Sequence, residues 1–82
     1  MQNKRLLAVG RQIRQLREAR GASQEEFAAD AGLDRGYYGG VERGERNIAA
    51  LNLIKIAIAL EVEVGQLFPK LATFRGSGEE GK

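Results

Sequence analysis

Ser23-Gln24-Glu25-Glu26-Phe27-Ala28-Ala29-Asp30-Ala31-Gly32-Leu33-Asp34-Arg35-Gly36-Tyr37-Tyr38-Gly39-Gly40-Val41-Glu42-Arg43-Gly44 is the stretch that decides the fold. It opens on a capping box, in which the Ser23 hydroxyl accepts from the backbone N–H of Glu26 and the Glu26 carboxylate reaches back to the N–H of Ser23. The helix so started carries Phe27, Ala28 and Ala31 and stops at Gly32, a residue that tolerates positive φ. At eight or nine residues it is held by packing alone. Asp34 caps the next helix, whose apolar pair is Tyr38 and Val41, with Leu33 tucked in just before it. Gly36, Gly39 and Gly40 lie inside this helix, and each costs about 1 kcal/mol relative to alanine. It cannot stand by itself. Gly44 ends it.

Outward from this stretch the chain reads as helix on both sides. Leu6, Val9, Ile13 and Leu16 recur at spacings of three and four and predict an amphipathic helix over about Lys4–Arg20, stopped by Gly21. Asn47 is the expected cap of a fourth helix, Ile48 to Leu60, and Val64 to Phe68 reads as a short fifth helix closed by Pro69. From Arg75 onward the sequence RGSGEEGK holds no apolar residue and three glycines, so residues 75–82 are expected to form a disordered tail beyond a single domain over residues 1–74. A short helix, a glycine turn and a capped second helix together make helix-turn-helix grammar over about residues 23–43, and the second helix of such a unit can lie in the major groove.

Composition limits the function. The 82 residues contain no Cys and no His, so disulfides, the commonest zinc ligands and the imidazole or thiol of nucleophilic catalysis are missing together. No catalytic constellation and no metal or cofactor site is expected. A chain of this size has thin core stability, and oligomerisation is the reinforcement left open to it. The net charge of +2 is unevenly placed: residues 1–46 hold nine basic groups against seven acidic, while 47–74 and the tail are each balanced. Nine of the thirteen basic residues are Arg, whose planar fork suits phosphate and base edges, although a solvated helix face would account for the same charges. The longest apolar stretch, Ile48 to Leu60, is too short to cross a bilayer and is interrupted by Asn52 and Lys55. A cytoplasmic protein, nucleoid-associated when bound, is expected.

Gly21-x-Ser23-Gln24-Glu25-Glu26-Phe27-Ala28 through Ala31-Gly32-Leu33 resembles the phage-repressor type of helix-turn-helix regulator. Leu33-Asp34-Arg35-x-Tyr37 and Val41-Glu42-Arg43-Gly44-Glu45-Arg46-Asn47 are similar to the subset that includes the controller proteins of restriction-modification systems. The resemblance covers about residues 6–68. It implies an all-α, compact five-helix repressor-like DNA-binding domain whose partner is double-stranded DNA. Within it, Gln24 corresponds to a residue that holds a backbone phosphate at a helix N-terminus, and Arg35 to a base-reading position able to grip guanine O6 and N7 or, alternatively, a phosphate. Tyr37 would reach a phosphate or a thymine methyl, whereas Tyr38 belongs to the core. Arg43 and Arg46 fall in the loop that meets the DNA backbone, with solvated loop charge as the alternative. The resemblance also pairs Arg17 with Glu42, a structural lock between helices. At Gly36 and Gly40 the sequence departs from related repressors, which carry side chains there. Either the backbone approaches the groove, or Arg35 and few others read bases with DNA shape supplying the rest, or the glycines are merely tolerated.

Helix 4 carries more apolar surface than one contact needs. Leu53, Ile56, Ala57 and Leu60 form one stripe; Leu51, Ile54 and Ile58 form a second on another face. A second copy is the simplest cover, predicting a homodimer joined around Leu51, Ile54, Ile58 and Phe68, with Leu71 and Phe74 folding back over the stripe as the rival cover. Together these readings predict a sequence-specific transcription regulator that binds an inverted-repeat operator as a dimer and has no small-molecule ligand. The alternative is an antitoxin-like interaction module that uses the helix 4 surface for a different protein.

Overall fold

Val9, Ile13 and Arg17 are each four residues apart and so share one face of a helix, where all three are buried. In the computed structural model, which describes residues 3–76, that helix is α1, Lys4–Ala19. Its first turn is capped by the Asn3 side chain, which accepts from the N–H groups of Arg5 and Leu6 at 2.9 and 3.1 Å. Arg20 is the C-cap rather than a helical residue, and Gly21 follows at φ +78°.

Next come α2 (Gln24–Ala31) and α3 (Arg35–Glu42), followed by α4 (Ala50–Leu60), a 3₁₀ turn over Val64–Leu67 and α5 (Leu71–Gly76). Every regular element among the described residues is helical. The core is made where the helices converge: Ile13 from α1, Phe27 from α2, Tyr38 and Val41 from α3, Ile56 and Leu60 from α4, and Leu67 from the 3₁₀ turn. The Phe27 and Tyr38 rings meet tilted, with centroids 5.1 Å apart, joining the two short helices that neither propensity nor length would hold.

The crossing of α1 and α3 is closer than side chains permit. A Cβ on Gly10 would stand 2.6 Å from the Glu42 carbonyl oxygen and closer still to that of Val41. At Gly44, φ is +75° and a Cβ would lie 2.6 Å from the Leu7 Cα. These two glycines set how near α3 and its following loop come to α1.

The second half of the chain departs from the sequence expectations in three places. Helix α4 begins at Ala50, not Ile48: residues 47–49 form no regular element, Ile48 packs part-buried on the core, and Ala49, extended and with no side-chain bond, is the cap in place of Asn47. The expected fifth helix is a 3₁₀ turn ending at Leu67, since Phe68 before Pro69 is pushed to extended backbone at φ −106°, ψ 137°. Leu71–Gly76 forms a helix that was not expected, taking in Arg75 and Gly76 of the segment assigned to the tail; residues 77–82 of that segment lie outside the described residues. Through α5, Phe74 packs against the core and the helix lies beside α1. It does not cover the second stripe of α4.

Candidate nucleic-acid interface

The turn between α2 and α3 is built by local chemistry. Ser23 Oγ accepts from the Glu26 N–H at 3.1 Å and Glu26 accepts from the Ser23 N–H at 2.9 Å, closing the capping box. Gly32 takes φ +72°, ψ 33°, and the Leu33 N–H bonds the Ala28 carbonyl at 2.9 Å, the long closing bond of a glycine-terminated helix. Asp34 then accepts from the Tyr37 N–H at 2.9 Å and starts α3. Two helix starts and one left-handed glycine thus aim α3.

Behind this turn lies a buried polar cluster. Arg17 Nε and Nη2 donate to the two Glu42 oxygens at 2.7 and 3.1 Å, and Arg17 Nη1 donates to the Ala22 carbonyl at 2.7 Å. The Tyr38 hydroxyl donates to Glu42 as well, and Gln24 Nε2 donates to Glu42 Oε1 at 2.8 Å. No buried side-chain polar atom is left without a partner among the described residues. Burial pushes the Glu42 carboxyl up, but hydrogen bonds from Arg17, Tyr38 and Gln24 and the Arg17 charge outweigh it and hold the group below its ordinary value. Gln24, expected at a phosphate, thus has one amide hydrogen committed to Glu42 while the residue stays half-exposed at the α2 N-terminus.

The outer face collects most of the remaining expected residues. Arg35 and Gly36 are exposed on the first turn of α3, Tyr37 is half-buried, and from Tyr38 to Glu42 the helix is buried. Arg43 and Arg46 are exposed just beyond. Arg43 pairs with Glu45 at 3.1 Å, and its Nη1 lies 3.0 Å from where a Gly39 Cβ would be. The Arg46 stem crosses Gly40, with Cγ 3.1 Å from the Cβ position, and its guanidinium sits over the Tyr37 ring at 5.7 Å. Gly40 therefore does not offer bare backbone to a groove: it is buried, and the space its side chain would need is taken by Arg46. Gly36 remains exposed, with only the Asp34 carboxylate near its Cβ position, at 3.2 Å.

Two contributors escaped the sequence reading. Asn52 on α4 donates to the Tyr37 hydroxyl at 3.1 Å. Its signal was present as the single amide among Leu51, Leu53 and Ile54, a polar residue that an apolar helix keeps for a reason. Gly39 had no signal beyond being a glycine, because what lies against it is the end of an arginine side chain four residues on.

On the other side of α4, Leu51, Ile54 and Ile58 are 62, 44 and 71% exposed. Phe68 and Leu71 are exposed as well. The first stripe behaves differently: Ile56, Ala57 and Leu60 are buried and Leu53 is part-buried against the core.

Capped short helices around a left-handed glycine, with arginines on the outer face and the rest of α3 sunk in the core, define a helix-turn-helix domain. The family model described as Helix-turn-helix matches residues 13–67, more than half of the chain. The chain belongs to this helix-turn-helix family, a family of DNA-binding transcription regulators and not of enzymes. Restriction-modification controller proteins are among its near relatives. Control protein C.MunI of a Mycoplasma species is 43% identical over 63 residues, covering 76% of this chain and 85% of that one. The solved restriction-modification controller protein C.AhdI from Aeromonas hydrophila matches with a TM-score of 0.76 and 51% identity, over 77% of this chain and 96% of that one. SinR, a master regulator for biofilm formation solved in complex with DNA, matches with a TM-score of 0.70 and 33% identity, over 72% and 95%. No described helix is long and apolar enough to cross a membrane.

Proposed function

We propose that this protein is a sequence-specific transcription regulator that binds an inverted-repeat operator as a homodimer. The observation that carries the reading is the exposed arginine face: Arg35 on the first turn of α3, with Arg43 and Arg46 flanking its far end. Arg35 stands where a recognition helix meets base edges and is assigned the direct readout, worth about 1–3 kcal/mol of discrimination. Arg43 and Arg46 are assigned to the phosphate backbone, and Gln24 to a phosphate through its second amide hydrogen and the N-terminus of α2. With Gly36 bare and Gly40 covered, few side chains read bases, and DNA shape carries the remaining selectivity.

The dimer is assigned to Leu51, Ile54, Ile58 and Phe68, which are apolar and exposed. To read an inverted repeat, a two-fold axis there has to set two copies of α3 about 34 Å apart, one turn of the double helix. Selection of bound duplexes from random DNA tests the reading. The expected result is a palindromic consensus with half-sites one turn apart, and binding that weakens steeply with salt. An asymmetric consensus would remove the dimer on an inverted repeat. Failure to enrich any sequence, with a different protein captured on α4, would favour an interaction module.

A further inference from the structure

Arg46 is held in a seat made by three other residues. Its stem lies across Gly40, where any side chain would stand in its way, and its guanidinium lies over the Tyr37 ring. Tyr37 in turn is tied down: Asn52 of α4 donates to its hydroxyl at 3.1 Å, and the ring is half-buried. Arg46 pairs with no carboxylate among the described residues, unlike Arg43 with Glu45 and Arg14 with Glu18, so its charge is not spent within the fold. An exposed arginine ordinarily samples many rotamers and loses that freedom when it binds a phosphate. Here the loss is partly taken in the free protein. A guanidinium resting on an aromatic face does not use up its N–H donors, which stay available to phosphate oxygens.

We propose that Asn52 is a positioning residue for DNA binding: by holding the Tyr37 hydroxyl it fixes the ring on which Arg46 rests, and so presets the Arg46 guanidinium for the sugar-phosphate backbone. The proposal rests on the DNA-binding reading above. It assigns Tyr37 as the shelf for an arginine instead of a contact in its own right, and through Asn52 it gives α4 a role at the DNA face.

The test has two independent readouts. In the free protein, nuclear magnetic resonance should show the Arg46 side-chain protons displaced by the Tyr37 ring. That displacement should vanish in Tyr37→Leu and shrink in Asn52→Ala; unchanged shifts in Asn52→Ala would overturn the seat regardless of DNA. On the duplex recovered by selection, Asn52→Ala and Tyr37→Phe should each weaken binding about three- to fivefold, with the melting temperature and solution mass of the protein unchanged. In an Arg46→Ala background the same substitutions should cost nothing further. A full additional loss in that background, or a fall in solution mass, would overturn the proposal by showing that Asn52 acts elsewhere. If the wild-type protein enriches no duplex while the ring displacement is present, the seat stands and the DNA-binding reading is what fails.

Discussion

Arg17 and Glu42 are 25 residues apart in sequence and share two hydrogen bonds, at 2.7 and 3.1 Å, in a site where both are buried. The pair joins α1 to the end of α3, while the third Arg17 nitrogen holds the turn before α2 through the Ala22 carbonyl. Three helices of the DNA-binding unit therefore meet at one carboxylate.

Removing that carboxylate alone should be severe. Glu42→Leu leaves the Arg17 charge buried and takes the acceptor from Tyr38 and Gln24, an expected loss of about 3–5 kcal/mol. The double substitution Arg17→Met with Glu42→Leu should lose less than Glu42→Leu, since no uncompensated charge remains. Urea unfolding of the wild type and the two variants checks this, and a double variant less stable than Glu42→Leu would contradict it.

The same cluster shapes the dependence on pH. The folded Glu42 value lies below the unfolded one of about 4.3, so its stabilisation is complete above that value and is lost as pH falls through the folded value. Burial, then the hydrogen bond to Glu42 and its charge, pushes the Tyr38 phenol up, so stabilisation is complete below the unfolded value of about 10 and declines above it. Melting temperature should be flat from about pH 5 to 9 and fall on both sides. Glu42→Gln should flatten the acid limb; an acid limb identical to wild type would remove Glu42 as its source.

Arg35→Ala should separate specific from non-specific binding. Affinity for the selected duplex is expected to drop by about 1–3 kcal/mol, while affinity for a scrambled duplex and its salt slope change little. Fluorescence anisotropy on both duplexes decides it, and equal losses on the two would assign Arg35 to a phosphate instead.

Gly40→Ala should uncouple stability from binding. A helical alanine is favoured over glycine by about 1 kcal/mol, and the atom it would crowd, Arg46 Cγ at 3.1 Å, belongs to an exposed side chain that can move away. Melting temperature should hold or rise while the duplex is bound more weakly. A loss of stability with binding intact would show that Arg46 does not yield.

Leu51→Glu together with Ile58→Glu should leave a folded monomer, because both side chains are more than 60% exposed and the core lies on the other face of α4. Sedimentation should report a single-chain mass with an unchanged helical spectrum, and binding to the two-half-site duplex should fall sharply. A folded dimer carrying both charges would place the self-association surface elsewhere.

Much of this was legible because it was local. Ser23 with Glu26, Gly32 and Asp34 announce their geometry by residue type at fixed spacing, and the structure places the caps and the left-handed turn on those residues. The start of α4 was not legible, since its cap is Ala49, whose side chain cannot cap, and the nearby Asn47 offered a false signal. Helix α5 is six residues long with Leu71 and Phe74 as its apolar pair, too short to show a period. At the candidate site, the expected list contained Arg46, Tyr37 and Gly40, but not that the first lies on the other two. That relation, like the Gln24 bond to Glu42, depends on which side chains the packed helices bring together, and spacing along the chain carries no record of it.

Gly10 is buried at the α1–α3 crossing, on a helix that carries none of the residues assigned to DNA. Its missing side chain is the thinnest spacer that the genetic code can insert between two backbones. Any replacement would act as a shim, pushing α3 away from α1 against the carbonyls of Val41 and Glu42 and altering the angle at which Arg35 is presented. Operator preference could then change without any substitution on the DNA face, which makes this interior position a calibration point for the whole reading head.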